Sequence, residues 1–313
     1  PGFIVNRIAR PFYAEAFRAY EEHGADPATL DAVLRESGGF RMGPFELTDL
    51  IGQDVNESVT RSVWEALFHD PKFTPSLAQR RLVASRRLGR KTGHGWFDHT
   101  EGAGRPGPHT AGPCEPPGKV TLHGDLGPAA ELVGFMAEAG IPVTREPAGS
   151  HLSLPDGTRL SLTDGTTATC DPFAASVRFD LALDYRTAGR VALAPSPAVP
   201  EASLRSAIGL FQALGKRVSV VQDIPGMIVA RTVAMLVDFA EDAAARGVAD
   251  PEDIDTAMLT GVNYPRGPLA WGRALGARWV RDTLRNLHEA CPTGRYAPSQ
   301  ALIRRAAAEE KLL

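Results

Sequence analysis

PGFIVNRIARPFYAEA, residues 1–16, returns as PGMIVARTVAMLVDFA at residues 225–240. The offset of 224 holds without a gap as far as Gly52 and Gly276. Identical pairs along it include Pro1/Pro225, Gly2/Gly226, Arg7/Arg231, Asp26/Asp250, Pro27/Pro251, Asp31/Asp255, Gly43/Gly267 and Pro44/Pro268. Further on, FTPS at 73–76 answers YAPS at 296–299, now at an offset of 223. A fixed offset with Pro and Gly at the punctuation points predicts two copies of one unit. Ile4, Ile8 and Phe12 recur at a spacing of four, which makes that unit helical. In Asp26-Pro27 and Asp250-Pro251 the Asp reads as an N-cap and the Pro as the first helical residue.

Between the copies the composition changes. Residues 101–118 hold ten Gly or Pro and read as a linker. An α/β alternation follows: strands at VTLHG (120–124) and IPVTRE (141–146) around a helix at 127–139, then a hairpin turning at Asp156-Gly157. VRFDLALD (177–184), RVALAP (190–195) and RVSVVQD (217–223) read as strands, and 200–214 as a helix. The expected fold class is mixed α and α/β: two repeated all-α domains separated by a degenerate Rossmann-like α/β domain. The expected boundaries are 1–99 for the first copy, 100–118 for the linker, 119–223 for the α/β domain and 224–313 for the second copy. Because an α/β unit feeds the second copy, a similar domain is expected before Pro1 and missing from this chain.

Composition excludes several classes of function. Thirty-four basic residues stand against 37 acidic ones for a net charge of −3, so no global basic footprint for nucleic acid exists. No run of 18 uncharged apolar residues is present, so no membrane span is expected. Cys114, Cys170 and Cys291 stand far apart without C-x-x-C spacing, which points away from a zinc cage or a disulfide framework and toward a cytoplasmic protein.

PGFIVNR, GFRMGPFELTDLIG (39–52) and GRKTGHGWF (89–97) resemble the C-terminal domain of the 3-hydroxyacyl-CoA dehydrogenases. The order of helical, Rossmann-like and helical units is similar to that of the long bacterial members. The resemblance implies oxidation of a (S)-3-hydroxyacyl-CoA, such as 3-hydroxybutyryl- or 3-hydroxyadipyl-CoA, to the 3-oxoacyl-CoA with NAD. It implies a His–Glu dyad and a dinucleotide loop in an N-terminal Rossmann domain that this chain is expected to lack. NAD is therefore not expected to bind this chain, and the chain alone is expected to be inactive. Asn6 matches the family's active-site asparagine, whose amide lies near the substrate oxygen. The corresponding Ala230 carries no polar atom.

The remaining chemical signals are weaker. Gly102-Ala-Gly104-Arg-Pro-Gly107 spells a dinucleotide fingerprint, but Pro106, Pro108 and Pro113 deny it the helix that phosphate binding requires. Gly124-Asp-Leu-Gly127 keeps only part of the glycine pattern. Met42 and Phe45 are candidates for an acyl pocket, against an ordinary role in the core. Arg90 and Lys91, within the basic run 80–91, are candidates for coenzyme A phosphates, against a solvated face. The histidines offer no metal-ligand spacing, and no metal is expected. Acyl-CoA is the expected small-molecule partner. A second reading makes the helical copies an assembly module, packing on each other within the chain and forming a homodimer. A distant third is another dehydrogenase with a helical C-terminal domain.

Overall fold

The structure, a computed structural model, describes residues 2–173 and 175–311. The first helical segment holds α1 (Val5–Ile8), α2 (Arg10–Glu21), α3 (Pro27–Glu36), α4 (Pro44–Ile51), α5 (Gln53–Ala66) and α6 (Leu77–Ala84). The middle holds β1 (Val120–Gly124), α7 (Leu132–Glu138), β2 (Val143–Glu146), β3 (Ser150–Ser153), β4 (Arg159–Leu162), β5 (Ser176–Phe179), β6 (Arg190–Pro195), α8 (Glu201–Ala213) and β7 (Arg217–Val220). The last segment holds α9 (Val229–Ala245), α10 (Pro251–Val262), α11 (Pro268–Leu275), α12 (Ala277–Ala290) and α13 (Gln300–Glu310).

The two PG motifs open their segments with the same backbone. Gly2 and Phe3 have φ of +79° and +50°, and Gly226 and Met227 have +69° and +50°. The segments then diverge for a covalent reason. Pro11 has no N–H to offer the carbonyl of Arg7, and the helix is interrupted at Ala9. The matching residue is Met235, and α9 runs unbroken for 17 residues.

Asp31 and Asp255 explain why Gly-Pro follows each at the same distance. The Asp31 carboxylate accepts from the amides of Phe45 and Glu46, both at 2.9 Å, and so caps α4 from α3. Asp255 accepts from Leu269 at 2.8 Å and Ala270 at 2.9 Å, capping α11 from α10. A Cβ at Gly43 would lie 2.1 Å from the Asp31 carboxyl carbon, and one at Gly267 would lie 2.3 Å from that of Asp255. Only glycine fits. The Asp-Pro caps differ: Asp26 accepts from Thr29 N at 3.0 Å, whereas the Asp250 side chain makes no capping bond.

The strands form one seven-stranded mixed sheet in the order β2-β1-β3-β4-β5-β6-β7. Pairs β1/β2, β4/β5 and β6/β7 are parallel, and β1/β3, β3/β4 and β5/β6 antiparallel. β5 and most of β6 are buried, as expected of central strands, while the edge strand β2 exposes Thr144, Arg145 and Glu146. The hairpin forms at Asp156-Gly157, where Gly157 has φ +89° and Asp156 Oδ1 accepts from Thr158 N at 3.0 Å. The strand expected over 177–184 stops at Phe179. The next residue, Asp180, turns its buried carboxylate onto the amides of Ile228, Val229 and Ala230 at 3.0, 2.8 and 3.1 Å.

The expected fold class is corrected by this packing. The chain does not form two all-α domains held apart by an α/β spacer. It forms a Rossmann-like seven-stranded sheet joined to one helical body that both helical segments build together. Helix α2 packs against α9, and α1 against both α9 and α10. Phe12 and Phe40 from one segment pack against Tyr264 from the other, tilted and edge-to-face, with ring centroids 5.8 and 5.1 Å apart. Glu15 of α2, fully buried, accepts from Arg295 Nε at 2.9 Å and from the Tyr296 hydroxyl at 2.8 Å. Each segment's apolar faces are covered by the other and by the sheet, so the buried side chains make one cluster.

Residues 101–118 are fastened along the sheet side of this body. Ala111 N donates to Val218 O at 2.8 Å, and Cys114 N donates to the Gln212 side chain at 2.8 Å. Buried Arg190 ties the strap to α3, donating to Glu36 at 2.8 Å, the His109 carbonyl at 3.1 Å and Thr110 at 3.0 Å.

Candidate active site

Asn6 is the exposed residue of the single-turn helix α1, just after the left-handed Gly2-Phe3 pair, and its backbone N–H donates to Gly2 O at 3.1 Å. It borders an open apolar hollow of about 520 Å³ lined by Gly2, Phe3, Ile4, Val5, Val248 and Ala257. Asn6 Oδ1 accepts from Arg10 Nη2 at 3.2 Å. A guanidinium only donates, so the oxygen prong of the amide faces Arg10 and the Nδ2 prong points the other way. The side chain is thereby held as an outward-facing donor at the rim of an apolar hollow.

Behind Asn6 lies a polar cluster. Arg10 is only 6% exposed; its Nη1 donates to Thr60 Oγ1 at 3.2 Å, and its charge lies over the Tyr13 ring, 5.0 Å from the centroid. Burial lowers the guanidinium pKa, and the phenols of Tyr13 and Tyr264 oppose that shift. Burial also drives the Tyr264 phenol well above its ordinary value, against the pull of Arg10. The residues 224 positions further on from Asn6, Arg10 and Tyr13 are Ala230, Ala234 and Val237, all buried apolar side chains of α9. Asn6, Arg10 and Tyr13 therefore have no polar counterparts in the second copy, although Tyr264 of the last segment packs against them. The sequence reading singled out Asn6 and did not consider Arg10, which lies on the helix face of Asn6 and Tyr13, away from Ile4, Ile8 and Phe12.

The other site candidates fall elsewhere. Phe45 is fully buried, packed on Trp96, Phe17 and Tyr20 with ring centroids 4.8, 5.4 and 6.1 Å apart. Met42 lies half-buried in the turn before α4. Arg90 and Lys91 are exposed and pair with acids of the same segment, Arg90 with Glu46 at 3.7 Å and Lys91 with Asp54 at 2.5 Å. The GHGWF turn is shaped by buried Asp49, which accepts from the amides of Trp96 and Phe97 at 2.9 Å and contacts His99 Nε2 at 2.8 Å. No group of His, Cys, Asp and Glu able to hold a metal occurs among the described residues. No helix among them is long and apolar enough to cross a membrane.

Two places where a Rossmann-type sheet presents amides to a diphosphate carry carboxylates instead. After β1, Asp125 Oδ1 accepts from Gly127 N at 2.9 Å. At the start of α8, Glu201 stands in the first turn. Neither place fits a diphosphate as it stands, and no step below is routed through a cofactor.

Comparison with known proteins adds independent findings. Residues 2–99 and 226–312 match the family described as 3-hydroxyacyl-CoA dehydrogenase, C-terminal domain. Residues 160–225 match the 3-hydroxybutyryl-CoA dehydrogenase reduced Rossmann-fold domain. The 3-hydroxyadipyl-CoA dehydrogenase of Escherichia coli K12 is 41% identical over 311 residues, covering 99% of this chain and 60% of that protein. The mitochondrial hydroxyacyl-coenzyme A dehydrogenase of Sus scrofa is 39% identical over 99 residues, 32% of each chain. The crystal structure of 3-hydroxybutyryl-CoA dehydrogenase from Escherichia coli K12 superposes with a TM-score of 0.87 at 39% identity, over 100% of this chain and 61% of that one. This chain thus spans about 60% of the length of the relative that matches it from end to end.

These matches overturn a second expectation. The chain carries a Rossmann-fold domain of its own, so NAD cannot be assigned to an absent domain on the ground that this chain lacks one. The match over the whole chain supports the corrected fold class as well. With both helical segments and the sheet matched, the chain belongs to the 3-hydroxyacyl-CoA dehydrogenase family.

Proposed function

We propose that this chain acts in the NAD-dependent oxidation of a 3-hydroxyacyl-CoA to the 3-oxoacyl-CoA, with the acyl chain in the apolar hollow and the C3 oxygen at Asn6. The observation that carries this reading is the placement of the Asn6 amide: its oxygen accepts from Arg10, and the residue lines the apolar hollow. As the hydroxyl becomes a carbonyl, charge builds on that oxygen, and a preorganised donor is worth most at that moment. An amide does not titrate in this range, so Asn6 can hold the oxygen without competing for its proton. NAD, when bound, would supply the acceptor for the hydride from C3 and a general base would take the hydroxyl proton; Asn6 itself only holds the oxygen. Relatives named for 3-hydroxyadipyl-CoA and 3-hydroxybutyryl-CoA bracket the range of acyl groups to be tried.

The test is formation of NADH from 3-hydroxybutyryl-CoA and 3-hydroxyadipyl-CoA by this chain, together with direct NADH titration by fluorescence. Asn6→Ala should lower kcat by about 10²-fold, the scale for losing one preorganised donor, with an unchanged circular dichroism spectrum. Wild-type turnover in that variant refutes the role of Asn6. Absence of both NADH binding and turnover in the unmodified chain refutes the wider reading.

A further inference from the structure

The basic run 80–91 divides into two groups. Arg80 pairs with Glu57 at 3.6 Å, Arg90 with Glu46 at 3.7 Å and Lys91 with Asp54 at 2.5 Å. The guanidinium groups of Arg81, Arg86 and Arg87 make no ion pair and no hydrogen bond among the described residues. Arg81 and Arg87 line a pocket of about 330 Å³ where the end of α2 and the start of α3 meet α6 and the GHGWF turn. Tyr20, Trp96, Leu82 and Pro27 supply its other main walls, and no carboxylate lines it. Arg86 stands outside it.

The aromatic walls meet edge-to-face, with the Tyr20 and Trp96 ring centroids 5.1 Å apart. Tyr20 packs against Phe45 as well, yet keeps 36% of its surface exposed. The indole N–H of Trp96 is enclosed without a partner. Glu21, the acid next to Tyr20, is engaged elsewhere: its Oε1 accepts from the Ser76 hydroxyl and the Ala78 amide, both at 2.8 Å, at the start of α6.

Two uncompensated guanidinium groups beside a pocket without acids attract an anion, and their forked donors match phosphate oxygens. Aromatic faces next to them suit a flat base, which stacks whatever its sequence identity. A bare phosphate would leave the rings unused, and an uncharged ring would leave the cations unused. Attraction to the negative end of α6 accounts for Arg81, which stands in its last turn. It does not account for Arg87, which lies beyond that helix on the other side of the pocket mouth.

We infer that this pocket binds a nucleotide, with the base against Tyr20 and Trp96 and the phosphate between Arg81 and Arg87. Helix α2, twelve residues and so about 18 Å long, separates it from the hollow at Asn6. It is a second site, and nothing in it depends on the acyl-CoA reading.

The test is isothermal titration calorimetry of this chain with AMP, adenosine and ribose 5-phosphate at low ionic strength. AMP should bind about tenfold or more tightly than either of its parts, since each part forfeits the stacking or the charge-assisted contacts. Changing Arg81→Gln together with Arg87→Gln should bring AMP to the level of adenosine, and Tyr20→Leu should bring it to that of ribose 5-phosphate. Arg86→Gln removes a charge of the same run outside the pocket and should leave AMP binding within about twofold. Circular dichroism checks that each variant is folded. Coenzyme A also carries an adenosine phosphate, so it is titrated alone and against AMP. Mutual displacement that Tyr20→Leu weakens supports the pocket with the coenzyme as a source, and AMP binding indifferent to coenzyme A supports it for free nucleotides. No binding of AMP overturns the inference. Equal binding of AMP and ribose 5-phosphate overturns the nucleotide, and an equal loss in Arg86→Gln shows a diffuse surface field and overturns the pocket.

Discussion

Glu15→Gln tests how the two helical segments are held together. Glu15 is fully buried on α2 and accepts from Arg295 Nε at 2.9 Å and from the Tyr296 hydroxyl at 2.8 Å. Arg231 Nε lies 3.9 Å away. Both arginines come from the last helical segment and are themselves buried; Glu22, at 2.8 Å from Arg231, is the other acid in the cluster. Glutamine keeps the volume and one acceptor, yet removes the charge and can turn N–H groups toward an arginine that only donates. Breaking a buried pair by removing one partner costs about 3–5 kcal/mol, because the surviving charge stays buried. With a urea slope of about 3 kcal/mol/M, the unfolding midpoint should fall by roughly 1–1.7 M. Arg295→Met should cost a similar amount, and Glu15→Met/Arg295→Met much less than the sum of the single changes. The assay is urea unfolding followed by circular dichroism and tryptophan fluorescence. A loss below about 1 kcal/mol for Glu15→Gln, or additive single changes, refutes the view that this buried pair clamps the segments. The pH dependence carries the same sign. Burial alone raises the Glu15 pKa, but Arg295, Arg231, Arg18 and Tyr296 outweigh it and hold the carboxyl below its ordinary value of 4.5. The stability it contributes is complete above that value and is lost as pH falls through the lower folded value, so Glu15→Gln should flatten the acid limb.

Two further outcomes can be checked directly. Gly43→Ala sets a Cβ 2.1 Å from the Asp31 carboxyl carbon, so the cap on α4 must move; a loss of about 2 kcal/mol or more is expected in thermal unfolding, and a melting temperature within 1 °C of wild type, where 1 kcal/mol moves it by about 2–4 °C, would refute the tight fit. His151 stacks on His123 with ring centroids 4.2 Å apart, and its Nδ1 is 3.1 Å from Arg159 Nη2. Burial first, then Arg159 and His123, lowers its pKa to about 4, so NMR titration should find His151 neutral at pH 5.5. The stability this shift represents is present above the ordinary value of 6.5 and is lost as pH falls toward 4; Arg159→Met should move the midpoint upward.

Much of the local structure was legible in the sequence because short-range chemistry decides it. Asp26-Pro27 starts α3, Asp156-Gly157 turns the hairpin, and RVALAP is β6 residue for residue. Asn6 was singled out through its motif, and its role stands as the proposal made above. Arg10 was not singled out, because its meaning depends on what surrounds it: the same charge four residues beyond Asn6 would be unremarkable on a solvated face. Phe45, read as a candidate for an acyl pocket, is enclosed by Phe17, Tyr20 and Trp96, and the last of these arrives from 51 residues away.

The sequence by itself determined the helical segments, their matching Pro-Gly openings and the Asp-Pro start of α3. These follow from which residues have a Cβ or an amide N–H, and such facts are local. Only the tertiary structure decided that the two segments share one interior, that seven strands pair in a mixed order, and that Arg10 is enclosed with no carboxylate at ion-pair distance among the described residues. Those outcomes depend on contacts between residues far apart along the chain, such as Asp180 with Val229, 49 positions on, and Glu15 with Arg295, 280 positions on. Burial and charge compensation are properties of the assembled neighbourhood, and no spacing along the chain encodes them.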